Sequence, residues 1–316
     1  MRLAWLGMHP EGIPSLSGLL EAGAPISAII TLRGDLAAKK TAVADYRPVA
    51  ARYGIRLCEI ANINEPHALT LLCELAPDVV FVIGWHQIVR PQAVQIAKIG
   101  MIGAHASLLP HNRGSAPLNW SLIKGEQVTG TTLFWLGESV DTGEIIEQRS
   151  IAITPFDTCA SLYERVAQTN RQLLVELLPR LMSGERPTRD LPFANGAVLP
   201  RRRPADGLVD WTQSSGAVYD FIRALTRPYP GAFGFIGGKR WRIWNAARLP
   251  ATEAPIGTPG TMIGPVVSPS ADACGQLVAC GEGGVVLLEV EDPEGKMIRG
   301  RALAELPWTG LRWDRD

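Results

Sequence analysis

Cysteine is scarce in this sequence, and the five present (Cys58, Cys73, Cys159, Cys274 and Cys280) include no CxxC pair. An odd count without that spacing argues against a zinc framework or a disulfide scaffold. It points to reduced, mostly buried thiols in a cytoplasmic protein. Charge of one sign is missing as well: 31 Lys and Arg stand against 31 Asp and Glu, a formal net charge of +0. That balance gives no support to a nucleic-acid or acidic-membrane partner. No apolar run approaches the ~20 residues that cross a bilayer. No GxGxxG follows the first strand candidate, so the dinucleotide fingerprint is lacking. Internal repeats and low-complexity segments are lacking too. What is present is a chain of 316 residues, 46% hydrophobic, with ample core and a length that suits two domains. The amino-terminal MRLAWLGMHPEG is a short apolar run broken by Gly and Pro. It is expected to be a strand and a turn, not a signal peptide.

The first half alternates strand and helix patterns. Strands are expected at Arg2 to Leu6, Ile26 to Thr31, Ile55 to Ile60, Val79 to Ile83 and Ile99 to His105. Helices are expected at Gly12 to Ala22, Val43 to Tyr53 (stopped by Gly54), Pro66 to Leu75 and Pro91 to Ala97. The continuous run VVFVI at 79–83 fits a strand buried on both faces. This alternation predicts an open, mostly parallel, Rossmann-like α/β sheet spanning 1–183. In such sheets ligands lie outside the carboxyl ends of the strands. Gly7 to Pro10, Trp85 to Val89 and the segment from His105 onward all fall there. The longest helix is expected at Cys159 to Leu181. A linker follows at 184–204, rich in Pro, Gly and Arg. Residues 205–316 carry one helix, at Ala217 to Leu225, and short strands with Gly and Pro between them, the pattern of a smaller barrel-like domain.

The organising stretch is Met101 to Ile146. It holds a titratable His105 at a strand end, a Gly- and Pro-rich loop, a short helix and a late acid, Asp141. Loops on rigid scaffolds are where chemistry is usually placed. HASLLPHNRGSAPLNW, then GEQVTGTTLF, then DTGEII resembles the signature of the folate-dependent formyltransferases. That family includes methionyl-tRNA formyltransferase, glycinamide ribonucleotide transformylase and the nucleotide-sugar N-formyltransferases. Resemblance is strong over 79–146. It is weaker after 205, where DGLVDW, RALTRPYPGAF and TPGTMIGP are similar to the family's barrel-like (OB-like) C-terminal domain.

The resemblance implies roles. His105 would take part in proton transfer or stabilise the tetrahedral intermediate. Its ordinary pKa near ~6.5 suits that work. Asp141 would orient the imidazole, raise its pKa or relay a proton through water. The family Asn expected two residues before the His is replaced by Gly103. Its amide normally donates to the carbonyl oxygen that becomes an oxyanion, and loss of one such donor costs about 100- to 1,000-fold in rate. Three readings stand open: a backbone NH or water replaces it, Asn112 or Asn119 reaches in, or the chemistry is weakened or altered. The segment Trp85, His86, Gln87, Ile88 and Val89 resembles the one that holds the folate pterin, and Leu136, Gly137, Glu138, Ser139 and Val140 would form the opposite wall. Ser107 and Arg113 would shape the acceptor pocket or bind an anionic group. Met8, His9 and Asn119 complete the expected substrate-binding set.

The implied activity is N-formyl transfer from 10-formyltetrahydrofolate, as co-substrate, to a small-molecule amine. No metal and no covalent acyl-enzyme is expected. SAPLNW resembles the sugar-transferring branch, and the charge balance of 205–316 favours an amino sugar nucleotide over tRNA. Lys39-Lys40 is the one local feature similar to the tRNA-contacting insertion. A non-catalytic folate-binding relative is the competing class. The oligomeric state is open, with a homodimer among the options.

Overall fold

The structure, a computed structural model, describes residues 1–40, 42–189, 198–249 and 256–314. Residues 190–197 of the expected linker lie outside the described residues. The chain divides into two compact units. The first holds Met1–Pro117, Val128–Ala152 and Leu162–Pro200; the second holds Leu118–Gln127, Ile153–Ser161 and the chain from Arg201 onward. Linear reading had assigned 118–127 and 153–161 to the catalytic half.

In chain order the first unit contributes β1 (Leu3–Leu6), α1 (Gly12–Glu21), β2 (Ile26–Leu32), α2 (Gly34–Ala37), α3 (Arg47–Tyr53), β3 (Arg56–Ile60), α4 (Pro66–Leu75), β4 (Val79–Val82), α5 (Pro91–Val94) and β5 (Gly100–His105). After α6 (Pro117–Ile123) come β6 (Val128–Trp135) and β7 (Ile145–Ala152), then α7 (Cys159–Met182). The sheet order is β3-β2-β1-β4-β5-β6-β7. Pairs from β3 through β5 are parallel, and β5, β6 and β7 pair antiparallel. Strand order reverses between β1 and β4, which opens a crevice at their carboxyl ends.

Period-2 alternation sends successive side chains to opposite faces of this sheet. Leu3 and Trp5 of β1 join one core with Leu16 and Leu19 of α1 and Leu173, Leu174 and Leu177 of α7. Ala4 and Leu6 join the other with Ala68, Leu71 and Leu72 of α4 and Met101 of β5. Helices cover both faces, so the central strands read as unbroken apolar runs. Gly54 takes a left-handed conformation (φ 65°) and ends α3.

The second unit contributes α8 (Ser215–Leu225), β8 (Ala232–Ile236), β9 (Lys239–Arg248), β10 (Met262–Val266), β11 (Gly275–Ala279), β12 (Gly284–Glu291), β13 (Met297–Arg299) and α9 (Arg301–Ala304). Its antiparallel sheet runs β10-β11-β12-β9-β8, with β13 on β12. The chain end bridges both edges: Arg312 pairs with Thr261 just before β10, and Asp314 pairs with Phe235 of β8. Pairing blunts edges that would otherwise recruit other chains. Ser214 caps α8 by accepting from the Ala217 amide at 3.3 Å. All five cysteines are free, and only Cys73 is exposed. Among the described residues no helix is long and apolar enough to cross a membrane.

Candidate active site

His105 ends β5, buried at the carboxyl edge of the sheet. Its Nε2 lies 2.9 Å from the Asn112 carbonyl oxygen. A carbonyl only accepts, so Nε2 carries a proton and Nδ1 faces the other way. Nδ1 is 3.5 Å from Asp141 Oδ2. That separation is longer than a normal hydrogen bond and close enough for the carboxylate to stabilise a proton on Nδ1. Asp141 holds a left-handed backbone (φ 54°), a conformation Asp tolerates better than most residues. Its Oδ2 also accepts from the Gly114 amide at 3.0 Å. Carboxylate and imidazole, 36 residues apart in sequence, are thus held together by the loop that follows β5.

The loop has its own supports. Ser107 Oγ donates to the His111 carbonyl at 2.6 Å. Thr132 of β6 donates to the Ser107 carbonyl at 2.7 Å and accepts from the Leu109 amide at 3.0 Å. Gln148 of β7 donates to the Leu109 carbonyl at 2.7 Å and to Thr132 Oγ1 at 2.9 Å. Thr131 donates to the His105 carbonyl at 3.2 Å and to Asn170 Oδ1 at 2.7 Å. Sequence reading missed Thr131, Thr132 and Gln148. The signal that could have found them is the clustering of polar side chains, Thr131-Thr132 and Glu147-Gln148-Arg149, inside otherwise apolar strands.

Gly103 lies two residues before His105 on the same face of β5. A Cβ there would fall 2.8 Å from Leu136 Cδ2 and 3.1 Å from the Phe134 ring. Those side chains, with Leu109 and Ile145, form a small apolar cluster. The room an amide would need at position 103 is occupied by hydrocarbon.

Several of the expected ligand-contacting residues also make contacts within the chain. Gln87 accepts from the Ile63 amide at 3.0 Å and donates to the Ala61 carbonyl at 2.9 Å, so its amide is consumed. Asn119 is fully buried in the second unit and donates to the Ala224 carbonyl. The Ser107 hydroxyl is spent on the loop. Met8 is buried, and its backbone bonds Gly84 and Ala44. Arg113 accepts from the Leu199 amide through its carbonyl at 2.7 Å. Trp85 is partly buried beside the second core, its ring 5.6 Å from that of His86. Ile88 and Val140 are exposed, at 67% and 45%, and Val89 is half-buried. Leu136 anchors its segment through its amide to the Met101 carbonyl at 2.8 Å. Gly137 packs on Gly143, Glu138 is exposed, and Ser139 accepts from Thr142 Oγ1 at 3.1 Å.

A second titratable group lies at the β1–β4 crevice. Glu11, just before α1, places its carboxylate 3.9 Å from His9 Nδ1. Burial pushes the Glu11 carboxyl up to about 7 and lowers the His9 imidazole.

An open α/β sheet with an imidazole–carboxylate pair at the carboxyl end of a strand is an arrangement suited to proton-transfer chemistry. The chain matches the formyl transferase model over residues 22–178 and the model of the formyl transferase C-terminal domain over 202–306, and it belongs to the formyl transferase family. Among solved structures it is similar to a variant of HypX from Aquifex aeolicus, with 20% identity and a TM-score of 0.62 over 94% of this chain and 47% of that one. The chain thus spans about half the length of HypX. It is also similar to an N-formyltransferase from Helicobacter canadensis, solved with folinic acid and dTDP-3-aminofucose, with 16% identity and a TM-score of 0.62 over 90% and 98% of the two chains. A glycinamide ribonucleotide transformylase from Symbiobacterium toebii matches at 22% identity and a TM-score of 0.51 over 58% of this chain and 88% of that one.

Proposed function

We propose that the chain transfers a formyl group from 10-formyltetrahydrofolate to the primary amine of a small metabolite, with an amino sugar nucleotide as the favoured acceptor. The observation that carries this reading is the His105–Asp141 pair at the carboxyl end of β5. Formyl-folate supplies an activated one-carbon acyl group, and the attacking amine must lose a proton. His105, fixed through Nε2 on the Asn112 carbonyl, presents Nδ1 across from Asp141. An amine approaching the pair gives up a proton to it, and a proton left on Nδ1 is stabilised by the carboxylate. Asp141 is itself held ready by the Gly114 amide. Trp85, Ile88, Val89, Leu136 and Val140 offer half-buried or exposed apolar surface for a flat heterocycle, which supports the folate assignment.

The test is mass-resolved formyl transfer. The wild-type protein is given 10-formyltetrahydrofolate with dTDP-linked amino sugars, methionyl-tRNA and other small amines in parallel. Formylated sugar is the expected product. Formylated tRNA as the only product would overturn the acceptor class, and failure of folinic acid to bind folded protein would overturn the folate reading. One observation favours a second reading, a folate-binding relative without transfer: hydrocarbon fills the space beside Gly103 where the family donor would stand. Saturable folinic acid binding with no formylated product from any amine is the outcome that would select it.

A further inference from the structure

The turn after β1 and the end of β4 meet in an unusually tight crossing. A Cβ on Gly7 would fall 2.6 Å from the Ile83 carbonyl, and one on Gly12 would strike the Tyr46 hydroxyl. Gly84 is left-handed (φ 64°), and a Cβ there would lie 2.7 Å from His9 Cβ and 3.3 Å from Glu11 Oε1. The His9 and Met8 amides both donate to the Gly84 carbonyl at 3.1 Å. Tyr46 donates to the His9 carbonyl at 3.0 Å, and the Tyr163 ring lies 5.9 Å from the His9 ring. The crossing fixes His9 and Glu11 against the backbone of Gly84.

The His9 side chain is incompletely satisfied. Among the described residues His9 Nδ1 is buried without a hydrogen-bond partner. Glu11 Oε2, its nearest charged neighbour at 3.9 Å, is beyond bonding range. Buried polar groups in native proteins have partners, and a carboxylate beside an imidazole nitrogen acceptor asks for a group with several donors. A primary ammonium is such a group. The place is also right for the reaction. Val82 of β4 pairs with Gly103 of β5. Gly84 follows the end of β4 and His105 ends the neighbouring strand β5, so both lie at the carboxyl edge of the sheet.

We propose that Glu11 and His9 form the seat of the acceptor's primary amine, which arrives as an ammonium, gives one proton to the Glu11 carboxylate and proceeds to the His105–Asp141 pair as the neutral amine. The inference rests on the formyl-transfer reading. In the step an N–H bond breaks and an O–H bond forms. The electron pair stays on nitrogen and becomes the pair that attacks the formyl carbon, and the net charge of amine plus carboxyl is unchanged. Burial favours neutral His9, and in its Nε2–H tautomer Nδ1 accepts.

The experiment uses the full-length protein with folinic acid bound and δ-13C-labelled glutamate. The resonance lost in Glu11→Gln assigns Glu11. A dTDP-linked 3-amino sugar is expected to lower the titration midpoint of that resonance by about a unit or more, because a neighbouring cation favours the carboxylate. The 3-hydroxy counterpart is expected to leave it in place. In the transfer assay Glu11→Gln should raise KM for the amino sugar about ten- to hundredfold, the range of a charge-assisted hydrogen bond. Folinic acid binding should change less than about twofold, well inside the tenfold that 1.4 kcal/mol represents. Glu11→Asp, which keeps the charge, should recover part of the loss. A Glu11 resonance that titrates alike with both sugars, or a Glu11→Gln enzyme with wild-type KM, overturns the seat. Absence of folinic acid binding in the wild type instead overturns the formyl-transfer reading, and the response of the Glu11 resonance to the amine is read separately.

Discussion

His105 and Asp141 are expected to work as one device because a single gap of 3.5 Å joins them. His105→Ala and Asp141→Asn should each lower turnover by about 100- to 10,000-fold, the span of general acid–base catalysis. The double variant should lose little more than the worse single one. Asp141→Asn keeps an oxygen for the Gly114 amide, so it should fold; single variants with near-normal turnover would contradict the pairing. At Gly103 the close approach of Leu136 and Phe134 sets up a test between adaptation and decay. Gly103→Asn should cost about 1–3 kcal/mol of stability by overpacking, and single-turnover transfer should stay level or fall. A gain near 100- to 1,000-fold would show instead that the site had merely lost its donor. Glu11 makes a pH prediction. Burial raises its carboxyl to about 7 from 4.5, so the folded state holds the proton more tightly than the unfolded chain. Its contribution is complete below about pH 4.5 and is lost as pH rises through 7, to a total on the order of 3 kcal/mol. His9, lowered by burial, acts oppositely: its contribution is present above its ordinary pKa of 6.5 and is lost as pH falls through its lowered value. Urea melts at pH 4.5, 6 and 8 should show Glu11→Gln with a flatter profile than wild type, and an identical slope would refute the assignment.

The β6–β7 pair carries the site at the element scale, and its connection is where the fold tolerates least. A Cβ on Gly143 would run into the Trp135 carbonyl oxygen, while the Trp135 amide is bonded to the Glu144 carbonyl at 2.9 Å. Neither backbone can withdraw without breaking the hairpin that carries Asp141. Gly143→Ala should therefore cost about 4 kcal/mol or more, roughly 10 °C in melting temperature, and should remove transfer activity with it. A melting temperature within 2 °C of wild type, about the effect of 1 kcal/mol or less, would show that the turn has a second conformation. These two strands were also the elements that sequence reading passed over. Their sequences lack a clean strand pattern, because the alternation is interrupted by Thr131 and Thr132 on β6 and by Glu147, Gln148 and Arg149 on β7. Those polar positions face either the His105 loop or the surface and so carry no apolar period. The strands from β1 to β5 were legible because both of their faces are covered. Continuous Val, Ile and Leu runs are what burial between two helical layers requires.

For the molecule as a whole, ligand binding should report on the folded first unit. Folinic acid at about 100 times its dissociation constant should stabilise the protein by about 2.7 kcal/mol if it binds the native state alone. A melting temperature unmoved by saturating folinic acid would separate this chain from a folate site. The sequence by itself determined the parallel α/β layout and the strand-rich second half, and its motif order singled out His105 and Asp141 as candidates, since periodicity, turn residues and motif order are local properties of a chain. It could not determine that the segments 118–127 and 153–161 join the second unit, that Gln87, Ser107 and Asn119 are turned to scaffold carbonyls and amides, or that Glu11 is held on Gly84. Those outcomes depend on which buried donor finds which acceptor once distant strands are packed, and on where a missing Cβ lets two backbones cross. Hydrogen-bond satisfaction and close approach are decided between residues far apart in sequence, so only the tertiary structure could assign them.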